Sequence, residues 1–195
     1  HISYLIQLFL FIFQVLLPGH VTLSILLSLI KGYLTFHQPS PFDLTTVTMN
    51  LTGLDRRIGP YHVHLFPTPE LRSPPESACS NNNVGGHWNP FGIDTQASVY
   101  PPPSNSTHDF YEVGDLSARH WLLGNMSDFQ GSVTDWNLPL FGRNSIVGRS
   151  VVLHDNHGNV YDFKKNGLCL FVIKLGARQN RGQQICIELV YGSIF

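Results

Sequence analysis

Charged side chains are scarce in this sequence. Lys, Arg, Asp and Glu together make up 13% of the 195 residues, and the formal net charge is −1. There is no run of lysine or arginine and no basic stripe, so the chain lacks the electrostatic footprint of a nucleic-acid-binding protein. We therefore expect no nucleic-acid partner.

Charge is missing altogether from residues 2–30, which form two apolar runs on either side of Pro18-Gly19. The segment is long enough to span a bilayer, but it lacks the basic start and the Ala-x-Ala-like cleavage site of a secretory signal. Two interpretations stay open. Residues 1–30 are either a signal or transmembrane segment that attaches the chain to a membrane, or an artefact that belongs to no fold. In both cases we place them outside the folded core.

Cysteine is also scarce, and its odd count leaves one thiol unpaired if a disulfide forms. The three cysteines are Cys79, Cys169 and Cys186. The sequence also contains three Asn-x-Ser/Thr sequons, the acceptor motif for N-glycosylation. They begin at Asn50, Asn105 and Asn125. Sequons together with a disulfide favour the secretory pathway, so we expect an extracellular or cell-surface glycoprotein.

Short β-branched and apolar segments, separated by turns rich in Gly and Pro, predict an all-β domain. The predicted strands cover residues 31–36, 45–50, 61–66, 145–154 and 168–173, with shorter pieces at 121–124 and 132–136. Two long loops, at residues 67–84 and 90–111, separate some of these strands. Loops of this length without secondary structure of their own are usually functional.

Histidines in three separate stretches are the candidate site. His62 and His64 are two residues apart in a predicted strand, so their side chains point to the same face. His87 follows a Gly pair, and His154 ends an apolar run. Four imidazoles without a cysteine suit copper, zinc or nickel better than magnesium or calcium.

Four motifs occur in the order found in the Cu/Zn superoxide dismutase family, and the chain resembles that family from about residue 31 to residue 173. They are His-Val-His at 62–64, Gly-Gly-His-Trp-Asn-Pro at 85–90, Tyr-Glu-Val-Gly-Asp-Leu at 111–116, and the ten residues 145–154. The similarity is greater to the copper-only branch, which includes animal proteins with repeated dismutase domains. It implies a Greek-key β-barrel or sandwich with long loops, and leaves residues 174–195 as an uncertain tail.

The resemblance implies a copper ion held by His62, His64, His87 and His154, and an oxidoreductase that converts superoxide to dioxygen and hydrogen peroxide. It further implies that zinc is absent. Glu112 precedes the Val-Gly-Asp motif where two-metal members have a histidine, and no histidine lies between Trp88 and Thr107. His108 and His120 do not fall at the family's zinc positions.

Two carboxylates then need another role. By resemblance, Glu112 accepts the second N–H of His87 in place of zinc, because metal-bound histidines usually hand that group to a carboxylate or carbonyl. The alternative is a solvated Glu112. Asp115 either supports the site in the same way or caps a turn.

Family members carry an arginine before their second disulfide cysteine that attracts the anionic substrate, and this chain departs from that pattern. The resemblance favours a Cys79–Cys169 disulfide, with Cys79–Cys186 as the alternative, yet no Arg lies in residues 163–168 before Cys169. Lys165 is the expected substitute, although a lysine is a weaker anion clamp. A non-enzymatic extracellular copper-binding module of the same fold therefore remains the alternative to an enzyme. The full protein is expected to contain further repeats.

Overall fold

The computed structural model describes residues 19–26, 30–54, 58–67, 80–155 and 186–187. Seven strands lie in these ranges: β1 Gly19–Leu26, β2 Lys31–Gln38, β3 Thr45–Thr52, β4 Ile58–His64, β5 Asp128–Asp135, β6 Ser150–Asp155 and β7 Cys186–Ile187. Two single-turn helices, α1 Asn81–Val84 and α2 Leu116–Arg119, and one 3-10 turn, His108–Phe110, complete the regular structure of this part. The all-β prediction is confirmed.

The larger sheet has the order β5-β3-β2-β1-β7, and it is antiparallel except for the short β1–β7 pairing. Alternate residues of β2 and β3 are buried, as the period of a strand with one covered face requires. Leu34 pairs with Met49, and Phe36 pairs with Val47. All four are at most 1% exposed, and burial of each such side chain stabilises the fold by about 1.5–3 kcal/mol.

The sheet begins before residue 31, where the sequence predicted the folded domain to start. The backbone of β1 pairs with β2 over eight positions, from Gly19 opposite Gln38 to Leu26 opposite Lys31. Ile30 belongs to the hydrophobic core. Hydropathy makes this stretch look like part of a membrane segment, but Val21 to Ile25 also alternates apolar and hydroxyl residues with the period of a strand.

β4 and β6 form a separate two-stranded antiparallel sheet. His62 pairs with Val152 and His64 with Ser150, and a register shift lies between Ile58 and Tyr61. Tyr61, Val63, Val151 and Leu153 belong to the hydrophobic core. The histidines of β4 alternate with these core residues, so the predicted alternation of faces is present.

Other boundaries differ from the prediction. β4 begins at Ile58 and β6 at Ser150, residues 121–124 form no strand, and the piece at 132–136 is the end of the longer β5.

The loop at 90–111 contains no strand but is held in place by hydrogen bonds. Tyr111 donates its hydroxyl to the Pro102 carbonyl at 2.7 Å, and the Ser104 N–H donates to the Ala118 carbonyl at 2.7 Å.

Several predicted features lie outside the described residues: the strand at 168–173, Lys165, and the sulfur atoms of the proposed disulfide. Among the residues that the structure describes, no helix is long and apolar enough to cross a membrane. Of the sequons, Asn50 lies within β3, whereas Asn105 and Asn125 lie in exposed turns.

Candidate metal centre

The four candidate histidines come from three segments that the backbone brings together. His62 and His64 lie on β4, His154 lies on β6, and His87 forms an isolated bridge with His64. Gly85, two residues before His87, has a φ of 74° that side chains other than glycine rarely adopt. This turn returns the chain so that His87 lies beside β4.

A second glycine brings the motif at 111–116 against the same strand. Val63 donates its N–H to the Gly114 carbonyl at 2.8 Å, and Gly114 donates to the Trp88 carbonyl at 2.8 Å. A Cβ at Gly114 would collide with the Val63 carbonyl oxygen. The absence of a side chain there lets Glu112 and Asp115 approach the histidines.

The imidazoles converge closely enough to hold one ion. One ring nitrogen from each of the four lies within 4.8 Å of the other three. The rings of His62 and His87 are stacked with centroids 3.8 Å apart, and the Nε2 atoms of His64 and His154 are 3.4 Å apart. Three of the rings are buried, and His87 is the more accessible one, with 33% of its side chain exposed.

Hydrogen bonds to the outer ring nitrogens indicate which nitrogens remain for a metal. The Nδ1 atom of His87 lies 2.9 Å from Glu112 Oε2, and that of His64 lies 2.8 Å from the Gly85 carbonyl. The Nε2 atom of His62 lies 3.5 Å from Asp115 Oδ1. These contacts leave Nε2 of His87, Nε2 of His64 and Nδ1 of His62.

The chemistry of this donor set fits a transition metal. Nδ1 of His62 is buried and has no hydrogen-bond partner among the described residues, which is costly unless another group satisfies it. Burial lowers the pKa of His62 and lowers that of His64 to about 4. Both rings are therefore neutral at pH 7, which is the form that binds a metal.

Glu112 and Asp115 both lie at the centre, but in different ways. Glu112 is buried and contacts His87, as described above. Asp115 contacts His62 and also caps α2 by accepting from the Ala118 N–H at 3.0 Å. Burial favours the neutral carboxyl, but hydrogen bonds from His62, Ala118 and Tyr100 outweigh it and lower the pKa of Asp115 to about 2.

Two further histidines lie in a different cluster, around Asp135 at the end of β5. His108 Nδ1 lies 3.1 Å and His120 Nε2 lies 2.9 Å from its carboxylate oxygens, and Arg119 Nη2 lies 3.0 Å away. Burial favours the neutral carboxyl, but these partners outweigh it, and the pKa of Asp135 is lowered. Because His108 and His120 face this carboxylate, neither belongs to the four-histidine cluster.

Tyr100 lies at the centre although no sequence pattern indicated it. Its hydroxyl donates to Asp115 Oδ2 at 2.8 Å and accepts the N–H of Glu112 at 3.4 Å. Tyr100 lies in an irregular loop and belongs to no motif, so neither periodicity nor spacing marks it. The one available signal was its position in a long loop between two motifs that carry candidate site residues.

Comparisons with known proteins agree with the geometry. The family model for copper/zinc superoxide dismutase matches residues 30–178. The Cu-Zn superoxide dismutase of Cordyceps militaris is 28% identical over 139 residues, which cover 71% of this chain and 77% of that protein. The Cu-Zn superoxide dismutase 1 of Debaryomyces hansenii is 32% identical over 128 residues, covering 65% and 71% respectively. The cell surface Cu-Zn superoxide dismutase 4 of Candida albicans is 34% identical over 132 residues, covering 66% and 50%.

Proposed function

The chain belongs to the copper/zinc superoxide dismutase family, and on that premise we propose that it is a copper-dependent superoxide dismutase. Two superoxide ions and two protons give one dioxygen and one hydrogen peroxide. His62, His64, His87 and His154 would hold the ion. The observation that carries this proposal is the convergence of one ring nitrogen from each of these residues within 4.8 Å.

Bound copper would supply a one-electron couple between Cu(II) and Cu(I), which imidazole ligands accommodate in both states. The protein's own part is to hold four neutral imidazoles in one arrangement. Glu112 and the Gly85 carbonyl fix two of the rings through their outer nitrogens, and Asp115 contacts a third. His87 lies on the more open side of the cluster, which is where we place the approach of substrate.

We also propose that copper is the only metal. In a two-metal site the Nδ1 atom of His87 would face the second ion, but here it faces Glu112 at 2.9 Å. His108 and His120 lie against Asp135 instead. Both contacts support the assignment of the chain to the copper-only branch of the family.

The second candidate is a non-enzymatic copper-binding module of the same fold. One observation favours it: residues 163–168, before Cys169, contain Lys164 and Lys165 but no arginine. A module of this kind would bind copper through the same four histidines and would not consume superoxide.

The two candidates are separated by loading the purified chain with copper and following superoxide decay after a radiolytic pulse. Wild type should consume superoxide catalytically. His64→Ala should not, because it removes one of the four candidate copper ligands. His37→Ala, on β2 of the larger sheet and outside the four-histidine cluster, is the matched control and should behave as wild type. Equal decay with wild type and His64→Ala would reject the enzyme.

Elemental analysis should find one copper per chain, and one tightly held zinc per chain would reject the copper-only assignment.

We further propose an extracellular or cell-surface location. The exposure of Asn105 and Asn125 supports it, as does the similarity to a Candida albicans relative named as a cell surface protein. Attachment to a membrane through the residues before β1, glycosylation at Asn50 and further repeats in the full protein are parts of the same proposal; the expected segment 1–30 is shortened because Gly19–Leu26 pairs with β2. Expression in a secretory host, followed by glycosidase treatment and a gel shift, tests it. No shift in mass would count against secretion.

A further inference from the structure

The Tyr100 hydroxyl links the two acidic residues of the metal centre. It donates to Asp115 Oδ2 at 2.8 Å, and it accepts the backbone N–H of Glu112 at 3.4 Å. Asp115 lies beside His62, and the Glu112 side chain lies beside His87. One hydroxyl group thus contacts both residues that lie behind these two candidate ligands.

The Asp115 carboxylate is held at both oxygens. Oδ1 accepts from the Ala118 N–H at 3.0 Å and lies 3.5 Å from His62 Nε2. Oδ2 accepts from Tyr100. Without the Tyr100 hydroxyl, the contacts left among the described residues, from Ala118 and His62, would both fall on Oδ1, and none would restrain Oδ2. Oδ1, which faces His62, would keep its bond to Ala118, but the plane of the carboxylate would no longer be fixed from its other oxygen.

Tyr100 is itself held in place. Its ring packs edge-on against the Tyr111 ring, with centroids 5.7 Å apart and an interplanar angle of 89°. Its N–H donates to the Ala97 carbonyl at 2.9 Å. The hydroxyl therefore lies at a fixed point relative to α2 and β4, although it is carried by an irregular loop.

We infer that Tyr100 is a positioning residue for the metal centre. By fixing the Asp115 carboxylate, it sets the tautomer and ring orientation of His62, and hence the direction of the Nδ1 atom that faces the cluster. Groups behind a metal-bound histidine control its basicity and orientation in this way. The inference rests on the proposed function, since it requires that His62 binds copper.

Tyr100→Phe tests the inference, because it removes the hydroxyl and keeps the ring against Tyr111. The matched control is Tyr111→Phe in the same loop, whose hydroxyl donates to the Pro102 carbonyl and accepts the N–H of Asn105, without reaching either carboxylate. The readouts are copper stoichiometry, copper affinity by competition with a chelator, and the Cu(II) electron paramagnetic resonance spectrum.

Tyr100→Phe should still bind one copper, with an affinity lower by up to about tenfold, the lower end of the range for residues that orient metal ligands. Its parallel hyperfine splitting should differ from that of wild type, and Tyr111→Phe should leave the spectrum unchanged. Asp115→Asn retains a capping residue and should shift the spectrum too. The double variant should show no more than the Asp115→Asn effect, because both changes act through one contact.

Each other outcome is decisive. If wild type binds one copper and Tyr100→Phe leaves its spectrum and affinity unchanged, the inference fails and the proposed function stands. If Tyr111→Phe shifts the spectrum equally, the effect belongs to loop stability and the inference fails. If wild type binds no copper, both fail. If Tyr100→Phe does not fold, the Asp115→Asn spectrum decides, and an unchanged spectrum overturns the inference.

Discussion

The guanidinium of Arg149 lies over the ring of Trp88, with its Cζ atom 3.1 Å from the ring centroid. Its Nη1 group donates to the Leu65 carbonyl at 2.8 Å, and its Nε group donates to the Ser145 carbonyl at 2.9 Å. Trp88 follows His87, and Leu65 follows His64. One arginine therefore joins the segments that carry His64 and His87 to the loop before β6. Its described contacts are to backbone carbonyls and a tryptophan ring, and none is to a candidate ligand.

Replacement of Arg149 by lysine should destabilise the protein without abolishing metal binding. Lysine cannot reproduce the planar stacking and the paired donation to two carbonyls. We expect the free energy of unfolding to fall by about 1–3 kcal/mol, because two part-buried hydrogen bonds of about 0.5–1.5 kcal/mol each are lost. Urea denaturation of the metal-free protein measures it. Arg143→Lys, at an exposed position in the same loop, is the control, and an equal loss in both variants would contradict the assigned role.

Glu112→Gln should weaken copper binding, because a neutral amide is a poorer partner for the Nδ1–H of His87 than a carboxylate. The expected loss of affinity is about 10–100-fold. Competition with a chelator of known copper affinity measures it. Asp109→Asn alters an exposed carboxylate that bonds only Thr107 among the described residues and should have no effect. A Glu112→Gln affinity equal to that of wild type would show that the buried carboxylate does not support copper binding through His87.

Acid stability should depend on Asp135. Its folded pKa is lowered, so its ionised form stabilises the fold above the unfolded pKa of about 3.9, and this contribution is lost as the pH falls below that value. At pH 7, Asp135→Asn should reduce the free energy of unfolding by about 3–5 kcal/mol, since it leaves a buried Arg119 without its counter-charge. The difference from wild type should narrow as the solution is acidified.

Denaturation curves at several pH values test this dependence. Asp128→Asn, at the exposed other end of β5, removes a carboxylate that accepts only the Gly53 N–H among the described contacts. Its effect should stay below about 1.5 kcal/mol, the size of an ordinary hydrogen bond. A difference between wild type and Asp135→Asn that stays constant from pH 7 to pH 3 would contradict the role of the ionised form.

Lys165→Ala should slow superoxide consumption if Lys165 supplies the attracting charge. Added salt should slow wild type more than the variant, because screening acts on a field that the variant has partly lost. Copper affinity should be unchanged. Lys31→Ala, at an exposed position of β2, is the control. Rates that respond neither to salt nor to Lys165 would leave the enzyme in place and remove this steering residue.

Peptide mapping without reduction should find Cys79 joined to Cys169, with Cys186 as a free thiol. This expectation follows from the family's arrangement, and it agrees with the short span of 14 residues between His154 and Cys169. A Cys79–Cys186 crosslink would overturn it. The anion-attracting role would then pass to Arg181, which precedes Cys186.

Local patterns predicted which residues share a face in three of the strands. The alternation in β2 and β3 and the His-x-His spacing in β4 depend on neighbouring residues, so the sequence expresses them directly. The boundaries of β6 were less predictable, because the apolar residues Ile146 and Val147 precede the strand without joining it. A buried loop position is occupied by an apolar residue just as a buried strand position is, so hydropathy alone does not show where the strand begins.

Contacts between distant parts of the chain could not be predicted from local sequence patterns. The ion pair of Arg119 with Asp135 joins α2 to the end of β5, and no spacing rule marks either residue. Tyr100 contacts Asp115 only because an irregular loop folds back onto α2. The strand at β1 was missed for a different reason: an uncharged apolar run satisfies the patterns of a membrane segment and of a buried strand equally.

The separation of His64 and His154 by 90 positions in the sequence has a consequence for how the protein acquires its metal. The pair exists only after β4 and β6 have found their register, and closing so long a loop is an entropic cost that comes before the contact. The intact donor set is thus a product of folding and not a nucleus for it. Copper held by these histidines would stabilise the finished fold by mass action, by about 2.7 kcal/mol at a free concentration one hundred times the dissociation constant. Metal supply after synthesis would therefore set how long each molecule survives unfolding and proteolysis.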